Sequence, residues 1–99
     1  MKIPKEIQII GQTIKTKLKK DLGKDYEDSF GTWDQNTSTV DLRKSTKKDP
    51  IAKEVMEQTY IHELTHASLE LMGEPKLSLN EKFVTSLSQI IYQIIKQVE

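Results

Sequence analysis

The sequence predicts an α+β fold, a small β-sheet or hairpin packed on two helices, because its two halves carry different periods. Short runs rich in β-branched and aromatic residues occupy the first half, whereas from Ile51 onward apolar residues recur at helical spacing. Gly73-Glu74-Pro75 breaks that second pattern once, which divides it into two helices. At 99 residues the chain makes one domain, near the lower limit for building its own core.

The elements follow in order. Ile7 and Ile9, then Ile14 and Leu18, alternate with polar residues around Gly11 and have strand character; a short helix over residues 12–18 is the competing reading. The charged stretch from Asp21 to Asp28, with Gly23 inside it, reads as a loop. Residues 29–33 and 38–42 are β-prone and flank Asp34-Gln35-Asn36-Thr37, whose Asp and Asn favour a turn, so they form a hairpin. Residues 44–49 connect this hairpin to a helix, with Asp49 placed to cap it and Pro50 at its first position. The helix runs from Ile51 to Met72. Ile51, Val55, Thr59, His62, His66 and Leu69 share one face, which predicts an inward stripe carrying both histidines. The second helix starts near Ser78 or Asn80. Its strip of Phe83, Leu87, Ile90 and Ile94 is widened by Val84, Ile91, Ile95 and Val98. So broad an apolar surface must pack on the first helix, and it leaves the oligomeric state open.

Composition narrows the function. Lys plus Arg and Asp plus Glu each number 15, so no basic excess points to nucleic acid and no acidic excess to a solvated tail. The absence of cysteine removes disulfides and thiolate metal sites, leaving His, Asp, Glu and water as metal ligands. The opening residues lack an apolar leader segment and no stretch reaches membrane-span length, so the chain reads as cytoplasmic, with no membrane partner.

His62-Glu63-Leu64-Thr65-His66 spells H-E-x-x-H and uses both histidines of the chain. Residues four apart on a helix lie on one side, so the two imidazoles can share one metal ion. Glu63 follows the first histidine and is the general base expected to take a proton from zinc-activated water. Three downstream carboxylates compete to be the third ligand. Glu70 lies on the same helix and suits outer hydrogen bonding, and Glu74 sits in the Gly73-Pro75 turn. Glu81 opens the helix that folds back and is the preferred ligand. Ser78-Leu79-Asn80-Glu81 is also a capping box, which would engage Glu81 at the helix start instead. Thr85, one turn on, reads as a polar surface residue. Tyr26, Tyr60, Tyr92 and Arg43 are the candidates to steady an oxyanion, with Tyr60 and Tyr92 leaning to packing and Arg43 to a solvated charge. An exposed edge of the hairpin could receive an extended peptide, with Gly31 allowing close approach and Trp33 serving as a core anchor.

Residues 60–67, then Asn80-Glu81-Lys82-Phe83-Val84 and Leu87-Ser88, resemble the small zincin-like metallopeptidases of bacteria and phages, relatives of the ImmA/IrrE group. Phe30-Gly31-Thr32-Trp33-Asp34 with Val40-Asp41-Leu42 is similar to the hairpin before their metal helix. The resemblance covers about residues 28 to 95. It implies a minimal zincin fold, a Zn2+ ion held by His62, His66 and Glu81, and hydrolysis of a protein or peptide with Glu63 as base. Many such proteins carry an acidic residue where this chain has Thr85. The alternative is a binding or regulatory module that keeps the core without turnover.

Overall fold

The computed structural model describes residues 1–99. Three layers follow one another: a four-stranded sheet, a central helix on one of its faces, and a last helix on the far side of the central one.

Strands β1 (Glu6–Ile9) and β2 (Gln12–Lys19) pair antiparallel across a two-residue turn, with Ile9 opposite Gln12. Ile10 and Gly11 take φ of 50° and 75°, the double left-handed conformation whose twist matches a hairpin. The short helix considered over residues 12–18 is therefore corrected to strand. Thr13, Ile14 and Thr16 are β-branched, and Ile14 is fully buried on the sheet face that meets the helices.

A single 3-10 turn at Lys24–Tyr26 interrupts the charged loop. Strands β3 (Gly31–Asp34) and β4 (Thr39–Arg43) form the expected hairpin, Trp33 opposite Val40 and Gly31 opposite Leu42. The Asp34 carboxylate accepts a bond from the Asn36 amide at 2.9 Å, the local contact that makes Asp a turn former. Strand β4 also lies parallel to β2, so the order is β1-β2-β4-β3 and β3 is a free edge. Central β4 contributes Val40 and Leu42 to the core, beside Ile14 and Tyr60.

Helix α1 (Lys53–Leu71) starts later than the sequence suggests, and Asp49 does not cap it. The Asp49 amide donates to Thr46 Oγ1 at 3.0 Å and its carbonyl accepts from the Thr46 amide at 3.2 Å, closing a turn before the helix. Ala52 stands at the cap position with no side-chain bond. At the other end Gly73, at φ 80°, turns the chain out. Its amide donates to the Glu70 carbonyl at 3.1 Å and the Glu74 amide to the Leu69 carbonyl at 2.8 Å. That pair of bonds satisfies carbonyls the helix would leave orphaned.

One turn, α2 (Pro75–Ser78), leads to α3 (Glu81–Val98). The predicted inward stripe on α1 is also corrected. Tyr60, Ile61, Ala67 and Leu69 are buried, while His62 and His66 are only half-buried on a flank. A helix enclosed by a sheet on one side and a second helix on another buries two separate arcs, so no single stripe marks its interior. Between the helices the Tyr92 hydroxyl donates to Glu57 Oε1 at 2.8 Å. Burial alone would push the Glu57 carboxyl up, yet the Tyr92 bond, Lys96 and the Met1 amino group together hold it below the usual glutamate value. No helix is long and apolar enough to cross a membrane.

Candidate metal centre

Helical spacing brings the imidazoles of His62 and His66 side by side on α1, and the turn through α2 returns the chain so that Glu81 opens α3 opposite them. The Glu81 carboxylate forks across both rings, one oxygen 3.3 Å from His62 Nε2 and the other 2.9 Å from His66 Nε2. The donor atoms of the three residues all lie within 4.8 Å of one another. Ligands at zinc distances of about 2.0–2.2 Å in a tetrahedron sit roughly 3.4 Å apart, near the two carboxylate–imidazole contacts though shorter than the 4.8 Å outer bound.

The capping-box reading of Glu81 is not what forms. Asn80 caps α3 instead, its Oδ1 accepting from the Phe83 amide at 3.1 Å, and Glu81 is free to face the histidines. Ser78 lies within α2 and does something the sequence did not suggest. Its hydroxyl donates to Glu70 Oε2 at 3.1 Å and stands 3.0 Å from His66 Nδ1. With its only proton committed to Glu70, Ser78 Oγ must accept from His66 Nδ1–H. In the neutral ring Nε2 is then an unprotonated acceptor facing another acceptor, the Glu81 carboxylate, at 2.9 Å. Such a contact requires a proton or a cation between the two atoms. On the neighbouring ring burial and His66 lower the His62 pKa, outweighing the attraction of Glu81, so protonation is the harder solution there. The donor set fits a divalent metal.

Glu63 points off the same helix into a cleft and is 9% exposed. Burial, reinforced by the charge of Glu81, pushes its pKa up to about 8. With His62 it lines both lobes of the cleft, of about 380 and 480 Å3. The smaller lobe is walled by Gln58, Thr59 and Thr85; the larger by Tyr26, Trp33 and Leu79. Gly31 borders both, on the free edge strand β3. A larger hollow of about 820 Å3 sits among charged loops at Lys20, Arg43 and Lys48 and contains none of these groups.

The remaining sequence candidates separate cleanly. Glu70 accepts the Ser78 hydroxyl, which also contacts His66, and Glu74 is an exposed residue ahead of α2. Tyr60 and Tyr92 are both in the core, the Tyr92 hydroxyl bonded to Glu57. Arg43 is not a free charge: its guanidinium donates to the carbonyls of Ser29, Tyr26 and Glu27 at 2.9–3.0 Å. It thereby pins the loop that carries Tyr26, the one member of the four lining the cleft. Trp33 packs against the core while one side borders the larger lobe, and Thr85 is an exposed residue of the cleft wall. Gly31 is required by packing, since a Cβ there would stand 2.6 Å from Thr59 Cγ2 and 3.0 Å from Leu42 Cδ2. In comparisons with family models, curated proteins and solved structures, nothing matches this chain.

Proposed function

We propose that this protein is a zincin-like, zinc-dependent peptidase in which His62, His66 and Glu81 hold the metal and Glu63 is the general base. The observation that carries this reading is the forked Glu81 carboxylate, set against two imidazole nitrogens at contacts that a proton or a metal cation must bridge, with all three donors converging on one point. Two histidines and one glutamate, with a fourth position left for water or substrate, make up a common catalytic zinc set. A zinc ion held there supplies Lewis acidity, polarising a substrate carbonyl and acidifying water. Ser78 and Glu70 fix the His66 ring so that Nε2 faces inward. Glu63 then takes a proton from the attacking water and passes it to the leaving amine. Its buried position favours holding that proton between the two transfers. Strand β3 offers unpaired backbone groups beside the cleft, so an extended polypeptide suits the site better than a compact small molecule.

The test is Glu63→Gln, which keeps size and polarity but removes the base. It should bind zinc with wild-type stoichiometry and lose cleavage of a broad peptide library by at least about a hundredfold. Equal cleavage by the variant would remove Glu63 from the mechanism. Zinc binding by wild type with no cleavage of any peptide would favour the alternative, a metal-holding binding module.

A further inference from the structure

Charge is unevenly placed on this chain. Of its 99 residues 15 are Lys or Arg, so about three of the side chains lining the metal cleft would be cationic by composition alone. Neither lobe has one, while Asp28, Glu63, Glu70 and Glu81 all line it. A divalent ion offsets two of those four carboxylates, so the loaded cleft stays net negative even with Glu63 protonated. The bias ends at the cleft: the hollow beyond Phe30 mixes Lys20, Lys44 and Lys48 with Glu27 and Asp49. Along α1 the lobes lie on either side of His62 and Glu63, one reaching Val55 and Gln58, the other Glu70. From Gln58 to Glu70 is about 18 Å of helix, the span of roughly five extended residues. In the larger lobe the carboxylates are engaged, Glu81 with both imidazoles and Glu70 with Ser78, which leaves Tyr26, Trp33 and Leu79 as its open surface. In the smaller lobe the side chains of Asp28, Gln58 and Gln89 are exposed and make no bond within the protein.

We infer that the smaller lobe is a specificity pocket for a Lys or Arg side chain beside the cleaved bond, an inference that rests on reading the cleft as a peptidase site. Both side chains are donors with no acceptor, which matches the free oxygens of Asp28, Gln58 and Gln89. Their stems are apolar, and Phe30 and Val55 supply the wall along which such stems lie. An Asp or Glu side chain in the same place meets Asp28 and Glu63 with no cation to pair, and like charges so juxtaposed repel. An aliphatic side chain would cover the polar groups and return no hydrogen bond. The substrate backbone lies along the free edge of β3, beside Gly31, which borders both lobes.

Otherwise identical alanine peptides of about six residues, with a central Lys, norleucine or Glu, test the pocket. Zinc-loaded Glu63→Gln, which should hold them uncleaved, reports binding by fluorescence anisotropy, and zinc-loaded wild type reports cleavage. The Lys peptide should bind at least about tenfold tighter than the norleucine peptide and about a hundredfold tighter than the Glu peptide, with the same order in kcat/KM. Mass spectrometry should place the cut beside the Lys. Raised salt should narrow these ratios, because exposed charges are screened. Asp28→Lys, its fold checked by circular dichroism, should reduce the Lys-over-Glu ratio at least about tenfold. Should that variant fail to fold, the three peptides still decide. Equal binding of the Lys and Glu peptides, or a ratio untouched in folded Asp28→Lys, overturns the pocket and leaves the peptidase reading standing if wild type cleaves them. Lys-selective binding without cleavage by wild type does the reverse, upholding the pocket and overturning the peptidase. Failure of all three peptides both to bind and to be cleaved overturns both.

Discussion

The hydroxyl of Ser78 decides which nitrogen His66 presents to its neighbours. Donating to Glu70, it can only accept from Nδ1–H, and so leaves Nε2 facing Glu81. Ser78→Ala should weaken zinc binding by about 10–100-fold while keeping one site per chain, the usual effect of losing an outer partner, measurable by competition with a chromophoric chelator. Glu63 gives a pH signature in the metal-free chain. Its folded pKa of about 8 lies above the 4.5 of an unperturbed glutamate, so the folded state holds a proton that the unfolded state releases. The associated stability is complete below about pH 4.5 and is lost as the pH rises through 8, a change of up to a few kcal/mol at about 1.4 kcal/mol per unit. Urea titrations from pH 5 to 9 should show that decline in wild type and a flatter profile in Glu63→Gln. A wild-type profile that rises over this range would contradict the burial argument.

At the level of elements, the close crossing of α1 over the edge of the sheet sets the shape of the cleft. Gly31 permits it, because any Cβ would drive into Thr59 and Leu42. Gly31→Ala should cost about 1–3 kcal/mol in chemical denaturation, and part of that should be recovered by Thr59→Ser, which deletes the methyl group nearest the new Cβ. No recovery would mean that the strand itself, rather than this contact, suffers. The β3–β4 hairpin and both long helices were legible in the sequence, since turn residues and a helix stop punctuate strong periodic patterns. The start of α1 was not, because Asp49-Pro50 matches a cap locally while Thr46 engages the Asp49 backbone first. The same competition hid the roles around α3. Ser78-x-x-Glu81 satisfies the capping pattern, but a one-turn helix moves the cap to Asn80 and frees both residues for the site.

For the molecule as a whole, α1 acts as a partition. The sheet edge β3 and the start of α3 enclose the cleft of His62 and Glu63 on one flank, while β1 and the rest of α3 enclose an apolar groove on the other. His62, Glu63 and His66 were readable as a group because a single helix carries them. Glu81 was readable only as one of two alternatives, since its place depends on how the chain returns across α1. Tyr26 and Arg43 could not be ranked, because loop positions are set by tertiary bonds that leave no periodic trace. A core this small should gain markedly from a bound metal, as binding to the folded state alone adds about 2.7 kcal/mol at a hundredfold excess over Kd. The most direct measurement is a competitive zinc titration of wild type beside Glu81→Ala, with folding monitored by circular dichroism. One zinc per chain is expected for wild type, with affinity falling more than about a hundredfold in the variant, beyond the effect of an outer partner. Equal affinity in the two proteins, or no stoichiometric zinc in wild type, would contradict a metal centre built from His62, His66 and Glu81.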